Sequence, residues 1–141
     1  IPKIDEGNDV LIKVLVGKVK NISSAVQTYS PVSIFDVQFA KPSLIDLDIP
    51  KNQTVMVYVI DGELKFHEDN QIARKGQMIY FDQSSDMINL TSISPTGSYL
   101  VLAGEPLNEP VVRYGPFVTN TEGDMKKAML DYQNGKMGTL S

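Results

Sequence analysis

A mostly β fold finished by one C-terminal helix is what this sequence predicts, and three observations carry the prediction. The first hundred residues break into about nine short apolar runs, separated by Gly, Pro, Asn and Asp turns without β–α–β alternation. Residues 54–66, TVMVYVIDGELKF, set an Asp61-Gly62 turn signal between two apolar runs. From Thr121 the apolar period becomes helical, behind a capping box. An all-β sandwich or barrel with a helical tail satisfies all three.

The elements follow in order. Residues 1–9 read as a loop with polar breaks. Val10–Val16, VLIKVLV, is a strand ended by Gly17 and apolar on both sides. Residues 19–26 mix small and polar side chains and read as a loop or weak strand, and 28–31 as a turn. In the next strand, 32–40, Val32 and Ile34 are out of step with Phe35, Val37 and Phe39, which predicts a bulge or a two-sided environment. Lys41-Pro42-Ser43 is a turn, and residues 44–49 alternate less cleanly.

In 54–60 the sets Val55, Val57, Val59 and Met56, Tyr58, Ile60 are both apolar, so both faces of this strand are expected to be covered. Asp61-Gly62 is expected to close a type I′ hairpin, which needs φ > 0 at both centres. The returning strand sets Leu64 and Phe66 against Glu63, Lys65 and His67. Glu68-Asp69-Asn70 is a turn, 71–73 a short strand, Lys75-Gly76 a turn, 78–81 a strand and 82–86 a polar loop. Strands 87–93 and 99–103 follow, joined by Ser94-Pro95-Thr96-Gly97.

The character changes after Gly104. Residues 105–117, EPLNEPVVRYGPF, carry three prolines and read as neither helix nor strand. Thr121 is then an N-cap with Asp124 at N3. Met125, Ala128, Met129 and Tyr132 form one apolar stripe of a helix over about residues 122–134, with Gly135 at the expected left-handed cap. The expected division is 1–104 as the β core and 105–141 as the irregular segment and helix, packed on that core or on a companion domain.

Composition excludes several functions. The net charge is −4, with two arginines and no basic cluster, so direct nucleic-acid binding is not expected. There is no Cys, hence no thiol nucleophile and no zinc–thiolate site. No apolar run approaches the roughly 20 residues that span a bilayer, and no leader-like stretch is visible, so a cytoplasmic location is expected. The single histidine, His67, reads as a surface residue, although Glu63, Glu68 and Asp69 lie near it in sequence. It stands in no G-x-S-x-G context, and no P-loop is present. Arg113 and Tyr114, with Glu105, Asn108 and Glu109, read either as a clamp on a ligand or neighbouring domain or as a local ion pair securing the tail. Phe117 and the Met125, Met129, Tyr132 stripe read as packing against the chain's own sheet or as a docking surface.

The tail LAGEPLNEPVVRYGPFVTNTEGDMKKAMLDYQNGKMG, residues 102–138, closely resembles the C-terminal signature of the pirin family. KVLVGKV, SPVSIFDVQF, TVMVYVIDGEL and the Lys75-Gly76-Gln77 turn fit the same pattern. Pirins are bicupin proteins with a single metal, usually iron, in the N-terminal cupin, and some resemble quercetin 2,3-dioxygenases. The resemblance implies a cupin-type (RmlC-like jelly-roll) β-barrel with a C-terminal α-helix. It also implies that this chain, which starts at Ile1, is the C-terminal cupin half of a longer protein.

Cupins place His-x-His and Glu ahead of the hairpin and a third His after a Pro-x-Gly turn. Aligned on Gly62, the Glu position falls at Val55 and the histidine positions around Ile49 and Lys51. Aligned on Gly76, the last His position falls at Ile79 and the motif proline at Arg74. The resemblance thus implies a metal-free, non-catalytic half with no cofactor of its own, iron residing in the N-terminal cupin. Its expected partners are that companion cupin and, for the isolated chain, a second copy. Glu105 to Phe117 and the helix are expected to brace the interdomain contact. Two other readings stay open: a protein-binding or co-regulator module, and an enzyme active within this domain.

Overall fold

The computed structural model describes residues 1–66, 70–81 and 87–138, with only the backbone of Met87. Fourteen strands and one helix follow in order among them. The first six strands are β1 (Lys3–Asp5), β2 (Val10–Val16), β3 (Lys18–Val19), β4 (Ile22–Ser23), β5 (Val32–Phe39) and β6 (Ser43–Asp48). β7 (Thr54–Asp61), β8 (Glu63–Phe66), β9 (Gln71–Arg74), β10 (Met78–Phe81), β11 (Met87–Ser92) and β12 (Gly97–Gly104) complete the core. β13 (Val112–Tyr114), β14 (Phe117–Thr119) and α1 (Glu122–Gln133) form the tail. The chain divides into two compact units, Ile1–Pro106 and Leu107–Ser141.

The first unit holds two main sheets. One has six strands in the order β1-β2-β5-β12-β7-β10, the other four in the order β6-β11-β8-β9. Among the described residues every pairing is antiparallel and no ladder joins the two sheets. The expected β-barrel is therefore corrected: these are open sheets with free edges at β1, β10, β6 and β9, although strand content and order fit a cupin-like topology. Inner side chains still seal a single core. Ile12, Val14, Phe35, Val37, Val57, Val59, Tyr99 and Val101 come from the six-stranded sheet, and Ile45, Leu47, Leu64, Ile88 and Leu90 from the other.

The hairpin expected at Asp61-Gly62 does not form. β7 pairs with β12 and β10, whereas β8 pairs with β11 and β9, so Gly62 carries the chain from one sheet to the other. Gly62 has φ +87, but Asp61 does not share a positive φ, which a type I′ turn requires. Glycine is needed at this corner for space as well. A Cβ would lie 2.5 Å from Ser94 Oγ and 2.8 Å from the Thr96 carbonyl oxygen. Ser94 Oγ accepts a hydrogen bond from the Glu63 N–H at 2.9 Å, which ties the corner down.

Several smaller expectations change too. The irregularity placed in β5 lies in its neighbour, where the β2 register shifts between Val14 and Val16. β6 alternates cleanly, Ile45 and Leu47 inward and Leu44 exposed. Residues 19–26 hold parts of the short β3–β4 pair. His67, the turn at Glu68 and Asp69, and the 82–86 loop lie outside the described residues.

In the second unit the proline-bearing segment is not wholly irregular: β13 pairs with β14 through a two-residue turn in which Gly115 has φ +54. Helix α1 packs on that hairpin. Thr121 caps it, its Oγ1 accepting from the Asp124 N–H at 3.1 Å and donating to Asp124 Oδ2 at 2.7 Å. Gly135, φ +70, follows the helix end, its N–H donating to the Tyr132 carbonyl at 3.1 Å. No described helix is long and apolar enough to cross a membrane.

Candidate functional site

The interior decides first. The positions that cupin spacing assigns to metal ligands are Val55, Ile49 and Ile79, all buried core side chains, and Lys51, which is exposed. Arg74, at the motif proline, is exposed, and its Nε donates to Glu63 Oε1 at 3.2 Å. Hydrocarbon has no lone pair to give a cation, so these residues do not fit a metal ion. Among the described residues no group of three or more His, Asp or Glu side chains is placed to hold one. Tyr99 brings a phenol into this core, against the Phe39 ring at 6.4 Å between centroids. Its hydroxyl is buried with no hydrogen-bond partner among the described residues, and burial raises its pKa far above the ordinary phenol value.

The outer face of the same sheet behaves differently. Alternation puts Ile34, Leu100, Leu102, Met56, Tyr58, Ile60, Met78 and Tyr80 on the side away from the core. The register makes them contiguous: Ile34 opposes Leu102, Leu102 opposes Met56, and Met56 opposes Tyr80. Tyr58 lies between Leu100 and Met78. Tyr58 is 38%, Ile60 42%, Met78 55% and Tyr80 63% exposed. The expected coverage of both faces of β7 is thus corrected: the Val55, Val57, Val59 face is sealed, and the other stays open.

Towards β2 this face turns polar. Lys13 pairs with Asp36 at 3.5 Å, and Gln38 Nε2 donates to Asp36 Oδ2 at 3.1 Å. At the apolar end a groove of about 330 Å³ is lined by Ile34, Met56, Leu102, Glu105 and Pro106. Contiguous apolar surface left exposed on a sheet face is the kind of surface on which interactions form.

The residues singled out from the tail are only partly brought together. Glu105 lines the groove just described. Phe117 and Tyr132 meet edge to face, centroids 5.7 Å apart, with Phe117 half-buried and Tyr132 exposed. Met125 is buried and Met129 half-buried, whereas Asn108, Glu109, Arg113 and Tyr114 are exposed. No ion pair among the described residues involves Arg113. Sequence reasoning missed Tyr58, Met78, Tyr80 and Leu102. Their signal was present in β7, whose second apolar set, Met56, Tyr58 and Ile60, is left half-buried or exposed among the described residues.

The chain matches the pirin C-terminal cupin domain family over residues 34–138. It is 34% identical to pirin-1 of Arabidopsis thaliana, covering 98% of this chain and 49% of that protein. It is also 34% identical to pirin of Rattus norvegicus, covering 98% of this chain and 48% of that one. Among solved structures it resembles quercetin 2,3-dioxygenase from Acinetobacter baumannii, with a TM-score of 0.81 and 28% identity, covering 99% of this chain and 48% of the other. The chain spans about half the length of the curated relatives it matches.

Proposed function

The chain belongs to the pirin family as its C-terminal cupin domain, and from that premise we propose that it is the metal-free, non-catalytic half of a longer protein. Its task is to pack against a metal-bearing N-terminal cupin. The observation that carries this reading is the pairing of a hydrocarbon-filled interior with an open apolar sheet face. The companion is the occupant that the half-length match to pirins calls for. An interdomain contact of roughly 600–1,500 Å² would cover the Ile34, Met56, Tyr58, Tyr80 surface. In the C-terminal unit the Phe117–Tyr132 pair, with Met129 and Tyr114, supplies a second apolar contact for the same companion, and Glu105, Asn108, Glu109 and Arg113 its polar rim. Iron and any quercetin 2,3-dioxygenase-like chemistry belong to the companion.

Metal analysis of the purified chain tests the metal-free half of this reading. After incubation with Fe(II), Mn(II), Ni(II), Cu(II) or Zn(II) and desalting, far less than one ion per chain is expected. One tightly bound ion per chain, lost in His67→Ala, would refute it. Such a result would place a site at a residue outside those described.

A further inference from the structure

The four-stranded sheet ends at β6, which pairs with β11 on one side only. Among the described residues, no backbone hydrogen bond outside that ladder engages residues 44–48. In an antiparallel ladder every second residue turns its N–H and C=O away from its partner, so this edge presents a row of unmade strand bonds. A groove of about 550 Å³ lies against it. Five consecutive residues of β6, Leu44 to Asp48, line that groove. A cavity over one face of a strand meets every second residue, whereas a groove that follows the free edge of the backbone meets them all.

The two faces of β6 differ in chemistry. Ile45 and Leu47 point into the core, and the far wall of the groove continues them with Ile12, Val19 and Phe35, all buried. Asp46 and Asp48 point the other way and are exposed. Neither carboxylate is in an ion pair among the described residues. Lys18, across the groove, is exposed, and Lys20 is held by Glu6. The edge therefore reads, residue by residue, as apolar inward and acidic outward.

We propose that the free edge of β6 takes up an extended peptide in which apolar and basic residues alternate. The peptide adds to the sheet as one more antiparallel strand, its main chain completing the unmade bonds. Its apolar side chains extend the inner row beside Ile45 and Leu47, and its basic ones flank Asp46 and Asp48. Opposite charges facing each other across strands are favourable and like charges unfavourable. The same carboxylates turn away a second copy of β6, because edge-to-edge pairing that keeps Ile45 and Leu47 inward sets carboxylate against carboxylate. Six residues of β6 extend about 20 Å, room for a peptide of about the same number of residues. The site is separate from the open face of the six-stranded sheet and does not depend on packing against a companion.

Amide titration and hydrogen exchange of the ¹⁵N-labelled 141-residue chain test it, with acetyl-Lys-Val-Lys-Val-Lys-Val-amide as the probe. Saturable binding is expected, with every second amide of residues 44–48 exchanging about tenfold more slowly in the complex. The Glu-Val counterpart is expected to bind about tenfold more weakly. Asp46→Lys combined with Asp48→Lys, both at exposed positions, is expected to reverse that preference. N-methylation of the peptide at alternate residues is expected to abolish binding in one phase and to leave it nearly unchanged in the other, a reading that needs no change in the protein. No saturable binding up to about 1 mM peptide would overturn the proposal. So would equal affinity for the Glu-Val peptide, indifference to N-methylation in both phases, or slowed exchange that spares β6. Protection of the same amides without peptide, growing with chain concentration, would assign the edge to a second copy and overturn it as well.

Discussion

The two faces of the six-stranded sheet are built from the same strands and nearly the same residue types, yet they differ in what covers them. Val55, Val57 and Val59 face the four-stranded sheet and are sealed to 3% exposure or less. Met56, Tyr58 and Ile60, one residue out of phase, stay half-buried or exposed. Hydrophobicity alone therefore did not decide burial. The inner face is covered by the unit's own second sheet, and the outer face carries the apolar surface of a strand expecting a cover. The lesson is that an apolar set on both sides of a strand does not by itself report that both sides are buried.

Truncating one large side chain on each face gives the largest contrast. Phe35→Ala empties inner core and is expected to cost about 3–5 kcal/mol in urea unfolding. Tyr80→Ala, outside on β10, is expected to stay within about 0.5 kcal/mol in the isolated chain. Equal losses at both positions would mean that the outer face is already covered. Next comes the corner that separates the sheets. Gly62→Ala meets a positive φ and close neighbours in Ser94 and Thr96, and is expected to cost about 1–3 kcal/mol. Gly76→Ala, whose φ is also positive but whose Cβ would meet nothing within 4 Å, is expected to cost less.

Thr121→Ala removes the cap of α1 and is expected to cost about 1 kcal/mol, read as lost helical circular dichroism. The smallest effect belongs to Tyr99→Phe. Deleting a buried hydroxyl with no partner among the described residues is expected to be neutral or stabilising by up to about 1 kcal/mol. Its signature lies in alkali. The folded state keeps the phenol protonated, whereas the unfolded state ionises above pH about 10. The wild type therefore loses stability as pH rises past that value, and Tyr99→Phe is expected to lose less.

Much of this was legible in the chain itself. Apolar runs and turn residues located β2, β5, β7, β10 and β12 closely, and Thr121 with Asp124 fixed the start of α1. The Asp61-Gly62 signal was misread because positive φ at one glycine serves a corner between sheets as well as a hairpin. Local sequence does not say which strand will pair with β7. Barrel closure failed for a related reason: local sequence does not say whether the edge strands of the two sheets pair with one another. That Val55, Ile49 and Ile79 bring hydrocarbon to the positions cupin spacing assigns was readable directly. The open outer face was not, because solvent exposure of Tyr58 and Tyr80 depends on tertiary neighbours.

Hydroxyl-radical footprinting of the tyrosines and methionines, on the chain alone and mixed with the N-terminal cupin half of a pirin, tests the central claim most directly. The account predicts that Tyr58, Met78 and Tyr80 become protected in the mixture while Tyr29, fully exposed in the first unit, stays reactive. Complex formation that leaves Tyr58, Met78 and Tyr80 as reactive as before would contradict it.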